Sequence, residues 1–264
     1  IRPTKNLLLT IVSREPDMKF AVIDTLGQAA ASIREHFKYF LGVGIFYYAL
    51  NSLLLISLID KEVEGFGLAF LISALTLVLY VKPAVLVHRT VILKQATEWK
   101  YLFTWGWPET SFFLLCIGLM IAFSLFNMIA GLVALPLFFD QGDESPVLMI
   151  YFLVIMLFAG GAFSRIALML PAFAVEQDLS VGDSIGLTEN QAFKVFLLVV
   201  GLPILTTVIL DFIFPLETTV STLIHQFFAY LIIIFEVSVL SHTYIQLTDR
   251  SNPGYLNSEE STED

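Results

Sequence analysis

Six apolar stretches, each long enough to cross a lipid bilayer, constrain this chain more than any other feature. A helix needs about 20 mainly apolar residues to cover the hydrocarbon core. Such stretches lie at residues 39–59, 65–87, 111–139, 147–170, 193–214 and 220–247. Inside a bilayer the backbone N–H and C=O groups must bond within their own segment, so each stretch predicts a helix. The sequence therefore predicts an all-α polytopic membrane protein with six transmembrane helices.

The composition supports this class and excludes others. Hydrophobic residues make up 57% of the chain and charged residues only 14%, whereas a typical soluble domain is about 25% charged. The single cysteine, Cys116, excludes a disulfide framework and a cysteine metal cluster. The net charge of −10 argues against nucleic acid as a partner.

The positions of the basic residues predict the orientation of the bundle. The six predicted spans place Lys61 on one side of the membrane and the other 13 Lys and Arg residues on the opposite side. Because Lys and Arg accumulate in cytoplasmic loops, both termini are expected in the cytoplasm. We divide the chain into a cytoplasmic or interfacial segment (1–38), a six-span membrane domain (39–247) and an acidic, solvated tail (248–264).

A short motif occurs twice, each time before a span that leaves the cytoplasm. Residues 22–27 (Val-Ile-Asp-Thr-Leu-Gly) match residues 181–186 (Val-Gly-Asp-Ser-Ile-Gly), and Phe-Lys-x-Phe-Leu follows each copy, at 37–41 and 193–197. The connection 97–108 occupies the same place but matches only loosely. We interpret this pattern as three repeated units, each an interfacial helix followed by a two-span hairpin.

The repeated segments have the signature of amphipathic interfacial helices. Ser180 and Asp183 have the spacing of a capping box at a helix start. In the first copy one apolar stripe is predicted from residues three to four apart, namely Ile23, Leu26, Ala30 and Ile33. Such a helix would rest on the membrane surface.

Two charged residues lie inside predicted spans and are the first candidates for function. Arg165 and Glu236 lie at matched depths, roughly 27 and 24 Å from the outer ends of their spans at 1.5 Å per residue. We therefore expect the two side chains to form an intramembrane charge pair. The pair would serve either as a proton or ion relay or as a structural clamp.

The remaining polar residues give weaker indications. His225 lies three helical turns from Glu236 on the same face, which suits a proton path but is too far for direct contact. Asn51 and Asn127 are expected to form interhelical hydrogen bonds, and His88 to be interfacial. Histidine spacing suits no metal, and hydrolase, phosphate-loop and HExxH motifs are missing. We therefore expect no metal, no cofactor and no enzymatic activity.

Small residues and one proline predict how the helices pack. Gly160 with Ser164, and Gly118 with Ala122, have the small-xxx-small spacing that lets helices approach closely. Pro203 lies within the fifth span and should kink it, because proline donates no backbone hydrogen bond.

Three segments resemble a broad group of six-span bacterial inner-membrane proteins. They are residues 24–27 (Asp-Thr-Leu-Gly), 87–93 (Val-His-Arg-Thr-Val-Ile-Leu) and 165–175 (Arg-Ile-Ala-Leu-Met-Leu-Pro-Ala-Phe-Ala-Val). That group is similar to the membrane domain fused to some glycerophosphodiester phosphodiesterases. The resemblance, which covers the chain from about residue 18, implies a bacterial inner membrane. It implies no catalytic residues, because none of these segments belongs to the phosphodiesterase domain.

Three functions remain open. Short external loops, apolar helices and the missing catalytic motifs favour a scaffold or accessory subunit that associates with other membrane protein subunits. Arg165, Glu236 and the Pro203 kink favour a small transporter or channel-like protein. The fusion partner of the resembling group suggests lipid handling. Membrane lipids are expected neighbours in every case.

The predicted orientation specifies which loops can be reached from outside the cell. In a variant without the native thiol (Cys116→Ser), single cysteines at Glu62, Asp143 and Glu217 should react with a membrane-impermeant maleimide in intact cells. A cysteine at Lys100 should react only after the membrane is permeabilised. The reverse pattern of reactivity would contradict the orientation.

Overall fold

The structure, a computed structural model, describes residues 21–59, 66–94, 98–138, 146–216 and 218–251. Over these ranges the chain is helical and contains no strand. The elements are α1 (Val22–Glu35), α2 (Phe37–Ile59), α3 (Phe66–Leu93), a 3₁₀ turn (Trp99–Leu102), α4 (Trp107–Phe138), α5 (Pro146–Ile166), α6 (Met169–Ala174), α7 (Val181–Leu187), α8 (Ala192–Phe196), a π turn (Leu197–Gly201), α9 (Leu202–Ile213) and α10 (Thr219–Ser251). Residues 1–20, 60–65, 95–97, 139–145, 217 and 252–264 lie outside the described residues.

The predicted all-α polytopic class is confirmed. Five helical stretches are long and apolar enough to cross a membrane, at Ala74–Leu93, Trp99–Val133, Ile150–Ala174, Ala192–Ile213 and Thr219–Asp249. The predicted first span is helical throughout as α2 but is not among these five. The five stretches were found within the described residues only, so the predicted count of six spans is approximate.

The long helices form three hairpins that close into a ring. The first hairpin is α2–α3, the second is α4–α5, and the third runs from α8 through α9 to α10. Neighbours in chain order pack together, and α10 packs on α2, which completes the ring. The last helices of the first and third hairpins, α3 and α10, also pack extensively on each other.

A short segment precedes each hairpin, and each such segment contacts the last helix of another hairpin. Helix α1 packs on α10, the 3₁₀ turn packs on α3, and α7 packs on α5. The three units are therefore joined in the same cyclic order. This arrangement supports the threefold repeat predicted from the sequence.

The duplicated motif has the same local role in both copies. Ser180 and Asp183 form the predicted capping box at the start of α7. The hydroxyl residue that follows the aspartate, Thr25 in α1 and Ser184 in α7, is fully buried in each copy. Thr25 Oγ1 lies 3.1 Å from Gln246 Oε1 of α10. Short polar side chains at this position therefore attach each segment to a long helix.

The predicted apolar stripe of α1 is only partly correct. Leu26 and Ile33 pack against the protein, but Ile23 is 81% exposed. The buried face of α1 instead centres on Thr25 and Ala29. Helix α1 packs on α10 with one face, and another face is exposed. Its apolar residues are thus divided between two faces.

Pro203 distorts the fifth span as predicted. The preceding residues form the π turn, and α9 then begins at Leu202 with Pro203 in its first turn. Proline lacks the N–H that would bond to the carbonyl four residues earlier, so the hydrogen-bond ladder changes register at this point. The result is a continuous helical path with one π-type interruption.

The two small-residue pairs have different environments. A Cβ on Gly160 would lie 3.2 Å from atoms of Phe196 and Val200, so this glycine permits α5 to approach the third hairpin closely. A Cβ on Gly118 would meet no atom within 4 Å. The packing predicted at Gly160 is therefore formed within the chain, whereas Gly118 faces outward.

Gly42 of α2 predicts a stability effect. A Cβ there would collide with the indole ring of Trp99, whose position is further limited by the Tyr39 ring, with centroids 5.7 Å apart. Gly42→Ala should therefore destabilise the protein by about 1–3 kcal/mol, measured by thermal unfolding in detergent. Gly118→Ala is the matched control, because it changes helix propensity equally without a clash. Equal unfolding temperatures for the two variants would refute this packing.

Candidate functional site

Arg165 lies in the last turn of α5 and caps the end of α7. Its Nε donates to Thr188 Oγ1 at 2.9 Å, and its Nη2 donates to the Ile185 carbonyl at 2.8 Å. In return, Ser184 Oγ donates to the Arg165 carbonyl at 2.5 Å. The last carbonyls of a helix have no intrahelical donor, and a cation is favoured there by the helix dipole. Arg165 therefore has a structural role in joining α5 to α7.

Glu236 lies on α10 and faces α9. Its Oε1 lies 2.7 Å from Thr206 Oγ1, which is also 3.0 Å from the carbonyls of Leu202 and Pro203. Within the part of the chain that the structure describes, Glu236 and Arg165 form no ion pair. The predicted contact is wrong because matched depth does not bring two residues to facing sides of a ring. Arg165 contacts α7, whereas Glu236 faces α9.

The other two predicted residues also lie on long helices. His225 Nε2 lies 2.9 Å from Asp211 Oδ1, so His225 and Glu236 each contact α9 from α10. Asn51 is buried within α2. Asn127 was predicted to bond across helices, but among the described residues its Nδ2 donates to the Phe123 carbonyl of its own helix, at 2.8 Å.

His88 is a core residue, not an interfacial one. It is 1% exposed, and its Nδ1 lies 2.8 Å from Oγ of the fully buried Ser241. This contact lies between α3 and α10, where the first and third hairpins meet. The basic residue that follows, Arg89, turns outward and pairs with Glu176 at 3.0 Å. Adjacent helical residues point about 100° apart, which explains why the interfacial assignment suits Arg89 but not His88.

A buried ion pair between Lys82 and Glu109 was not predicted. Their side chains are 5% and 8% exposed. Lys82 Nζ also donates to the Thr104 carbonyl at 2.5 Å, and the Gly106 N–H donates to Glu109 Oε2 at 2.8 Å. A lysine inside one apolar run and a glutamate in the first turn of the next were the signals in the sequence.

Polar side chains on the second long helix of each hairpin join the three hairpins. Lys82 joins the first hairpin to the second, and Arg165 joins the second to the segment before the third. His242 of α10 joins the third to α1, with its Nε2 2.8 Å from Ser32 Oγ. These three inter-hairpin contacts involve different residues. The second long helices of the three hairpins nevertheless carry similar short polar sequences, at 88–90 (His-Arg-Thr), 164–166 (Ser-Arg-Ile) and 241–243 (Ser-His-Thr).

A polar cleft of about 470 Å³ lies where α1, α3 and α10 meet. Its walls combine charged, hydroxyl, amide and apolar side chains: Gln28, Ser32, Glu35, His36, Thr90, Val91, Lys94, His242 and Ile245. Within the described residues no carboxylate forms an ion pair with His242. Ser32 Oγ and His242 Nε2 lie 2.8 Å apart in this cleft.

The described residues thus form a polytopic helical bundle with a polar cleft where α1, α3 and α10 meet. Across the described ranges no group of three His, Cys, Asp or Glu side chains is placed to hold a metal ion. Comparison of the chain with protein-family models, with curated proteins and with solved structures finds no match.

The buried ion pair gives a prediction for stability. Glu109→Gln should destabilise the protein by about 3–5 kcal/mol, because it leaves the Lys82 charge buried without its carboxylate. Adding Lys82→Met should recover part of this loss. Thermal unfolding in detergent measures both effects. Glu98→Gln, which breaks the exposed Lys100–Glu98 pair, is the control and should change nothing measurable. A Glu109→Gln protein as stable as this control would disprove the structural role.

Proposed function

We propose that this chain is a non-enzymatic integral membrane scaffold or accessory subunit that associates with another membrane complex. The observation that supports this function best is the outward exposure of the second hairpin. Helices α4 and α5 expose large apolar side chains on several sides, including Met120, Ile121, Met128, Ile150 and Phe158. Such a hairpin is available to another protein's helices or to lipid.

One face of α4 has the features of a helix-docking surface. We define the α4 outer face as Gly118, Ala122, Leu125, Ile129 and Leu132, which recur every three to four residues and are all exposed. Small residues let a second helix approach, and the larger ones supply contact area further along. The partner on this face would be a transmembrane helix that itself presents small residues. This spacing permits a second helix to approach α4 closely. Contact with lipid tails does not require such spacing.

The intramembrane charges support a structural role. Arg165 is engaged by α7, and Lys82 is engaged by Glu109 and the Thr104 carbonyl. Groups held in this way rigidify a bundle and do not need to change partners during a reaction cycle. This distribution of contacts favours a scaffold over a relay.

The location belongs to the same proposal. We place the protein in a bacterial inner membrane, as a multi-pass protein with both termini in the cytoplasm. The distribution of Lys and Arg supports the orientation. The resemblance to six-span inner-membrane proteins, similar to the membrane domain fused to some glycerophosphodiester phosphodiesterases, supports the bacterial membrane.

A transporter or channel-like protein is the second candidate. Its support is the two polar contacts between α9 and α10: the Thr206–Glu236 pair lies one turn after the π turn, and the Asp211–His225 pair lies near the far end of α9. Irregular helices and intramembrane acids occur together at transport sites. Flux through the purified protein in liposomes, abolished by Glu236→Gln, would favour this candidate over the scaffold.

The α4 outer face can be tested with a photo-reactive amino acid. When it replaces Ile129, the photo-reactive amino acid should cross-link to another membrane protein. The complex that contains this membrane protein should be lost from native gels when this chain is deleted. Gly118→Leu should reduce that cross-link about tenfold or more, because its side chain blocks close approach without touching this chain's own core.

The same photo-reactive amino acid in place of Phe212 of α9, a residue that is 88% exposed, is the control for random contacts in the membrane. Equal cross-linking from Ile129 and Phe212, or a complex that assembles normally without this chain, would refute the accessory role. Unchanged thermal unfolding of Gly118→Leu confirms that the variant is folded.

A further inference from the structure

The polar cleft between α1, α3 and α10 lies at the level of lipid headgroups. Helix α10 begins at Thr219 and continues to Ser251. His242, which lines the cleft, is roughly 35 Å along this helix at 1.5 Å per residue, beyond the ~30 Å of a hydrocarbon core. The basic residues assign this end of the bundle to the cytoplasm. A ligand in the cleft therefore faces the interface and not the bilayer interior.

The cleft contains opposite charges that do not neutralise each other through an ion pair. Lys94 and Glu35 both line it, and neither has an ion-pair partner among the residues that the structure describes. His36 adds a second basic side chain. Lys94 directly follows the last residue of α3 and has a φ of 50°, a left-handed conformation that commonly ends a helix. The cleft thus offers separate positive and negative groups to a ligand.

Hydroxyl and apolar groups complete the lining. Ser32 Oγ and His242 Nε2 are 2.8 Å apart. When the imidazole donates to the serine oxygen, the Ser32 hydroxyl hydrogen is free to donate to a ligand oxygen. Val91 and Ile245 provide an apolar wall beside these polar groups. A volume of about 470 Å³ lies within the range of ~300–1,000 Å³ that is usual for small-molecule sites.

We propose that this cleft binds a phosphate ester that bears its own primary ammonium, the chemistry of a phosphoethanolamine group. Lys94, His36 and the Ser32 hydroxyl bind the phosphate oxygens, since charge-assisted hydrogen bonds to phosphate are strong. Glu35 binds the ammonium, and Val91 and Ile245 contact the carbon skeleton next to the phosphate. This site is independent of the proposed docking on the α4 outer face.

Glu35 distinguishes this ligand from a simple anion. A carboxylate in the lining repels phosphate alone or an anionic headgroup, but it attracts the ammonium of a zwitterionic one. A metal cation is disfavoured, because no suitable cluster of ligands occurs in the described part of the chain. One ligand that carries both charges satisfies both sides of the cleft.

The test uses the purified full-length chain in detergent and native mass spectrometry. The probes are a phosphatidylethanolamine, a phosphatidylglycerol with the same acyl chains, and free phosphoethanolamine. The wild-type protein should bind the phosphatidylethanolamine about tenfold more tightly than the phosphatidylglycerol. Lys94→Gln should weaken binding of both lipids. Glu35→Gln should weaken binding of the phosphatidylethanolamine alone and so abolish the preference.

The controls separate lipid, soluble ligand and unfolding. Glu98→Gln and Lys100→Gln change an exposed pair outside the cleft and should leave binding unaltered. Ile245→Trp should block the cleft while its charges remain, and unfolding temperatures identify any variant that fails to fold. Tight binding of free phosphoethanolamine with the same dependence on Glu35 would support the chemistry and assign it to a soluble ligand.

Two results would overturn the proposal. One is equal or tighter binding of the phosphatidylglycerol by the wild-type protein. The other is retention of the preference in the folded Glu35→Gln protein, together with undiminished lipid binding by the folded Lys94→Gln and Ile245→Trp proteins. Gly118→Leu should leave lipid binding unchanged, so a failure of the docking proposal is distinguishable from a failure of this one.

Discussion

Polar contacts between hairpins hold this fold together, because apolar burial contributes little to helix association within lipid. A leucine loses no water when it moves from lipid tails to another helix. A buried lysine without its partner would instead be very unfavourable. Lys82, Arg165 and His242 each connect one hairpin to a segment of another unit. These directed contacts restrict the order of the hairpins more strongly than apolar packing does.

The elements that follow from local sequence rules were predicted correctly. The capping box of Ser180 and Asp183 depends only on a three-residue spacing, and it is formed in α7. The π turn before α9 follows from the missing N–H of Pro203. The long helices follow from apolar length. In each case the cause lies within a few residues of its effect, so one sequence contains enough information.

The candidate site was harder to predict, because its contacts join residues that are distant in sequence. The charge and depth of Arg165 and Glu236 were visible, but the direction in which each helix faces was not. Likewise, His88 and Arg89 are adjacent, yet one contacts Ser241 in the core and the other contacts Glu176. Rotation of a helix about its axis decides such contacts. In a helix that is apolar on all sides, the sequence gives little indication of that rotation.

The length of α10 connects the architecture to the cleft. This helix is longer than the thickness of a bilayer core, and its last turns supply a surface on which α1 packs. Thr25 and Ser32 of α1 contact Gln246 and His242 there. The same two helices, together with the end of α3, enclose the cleft. A shorter α10 would remove both the attachment of α1 and the wall that carries His242. The contact between α1 and α10, which joins the first and third repeated units, therefore also forms two walls of the cleft.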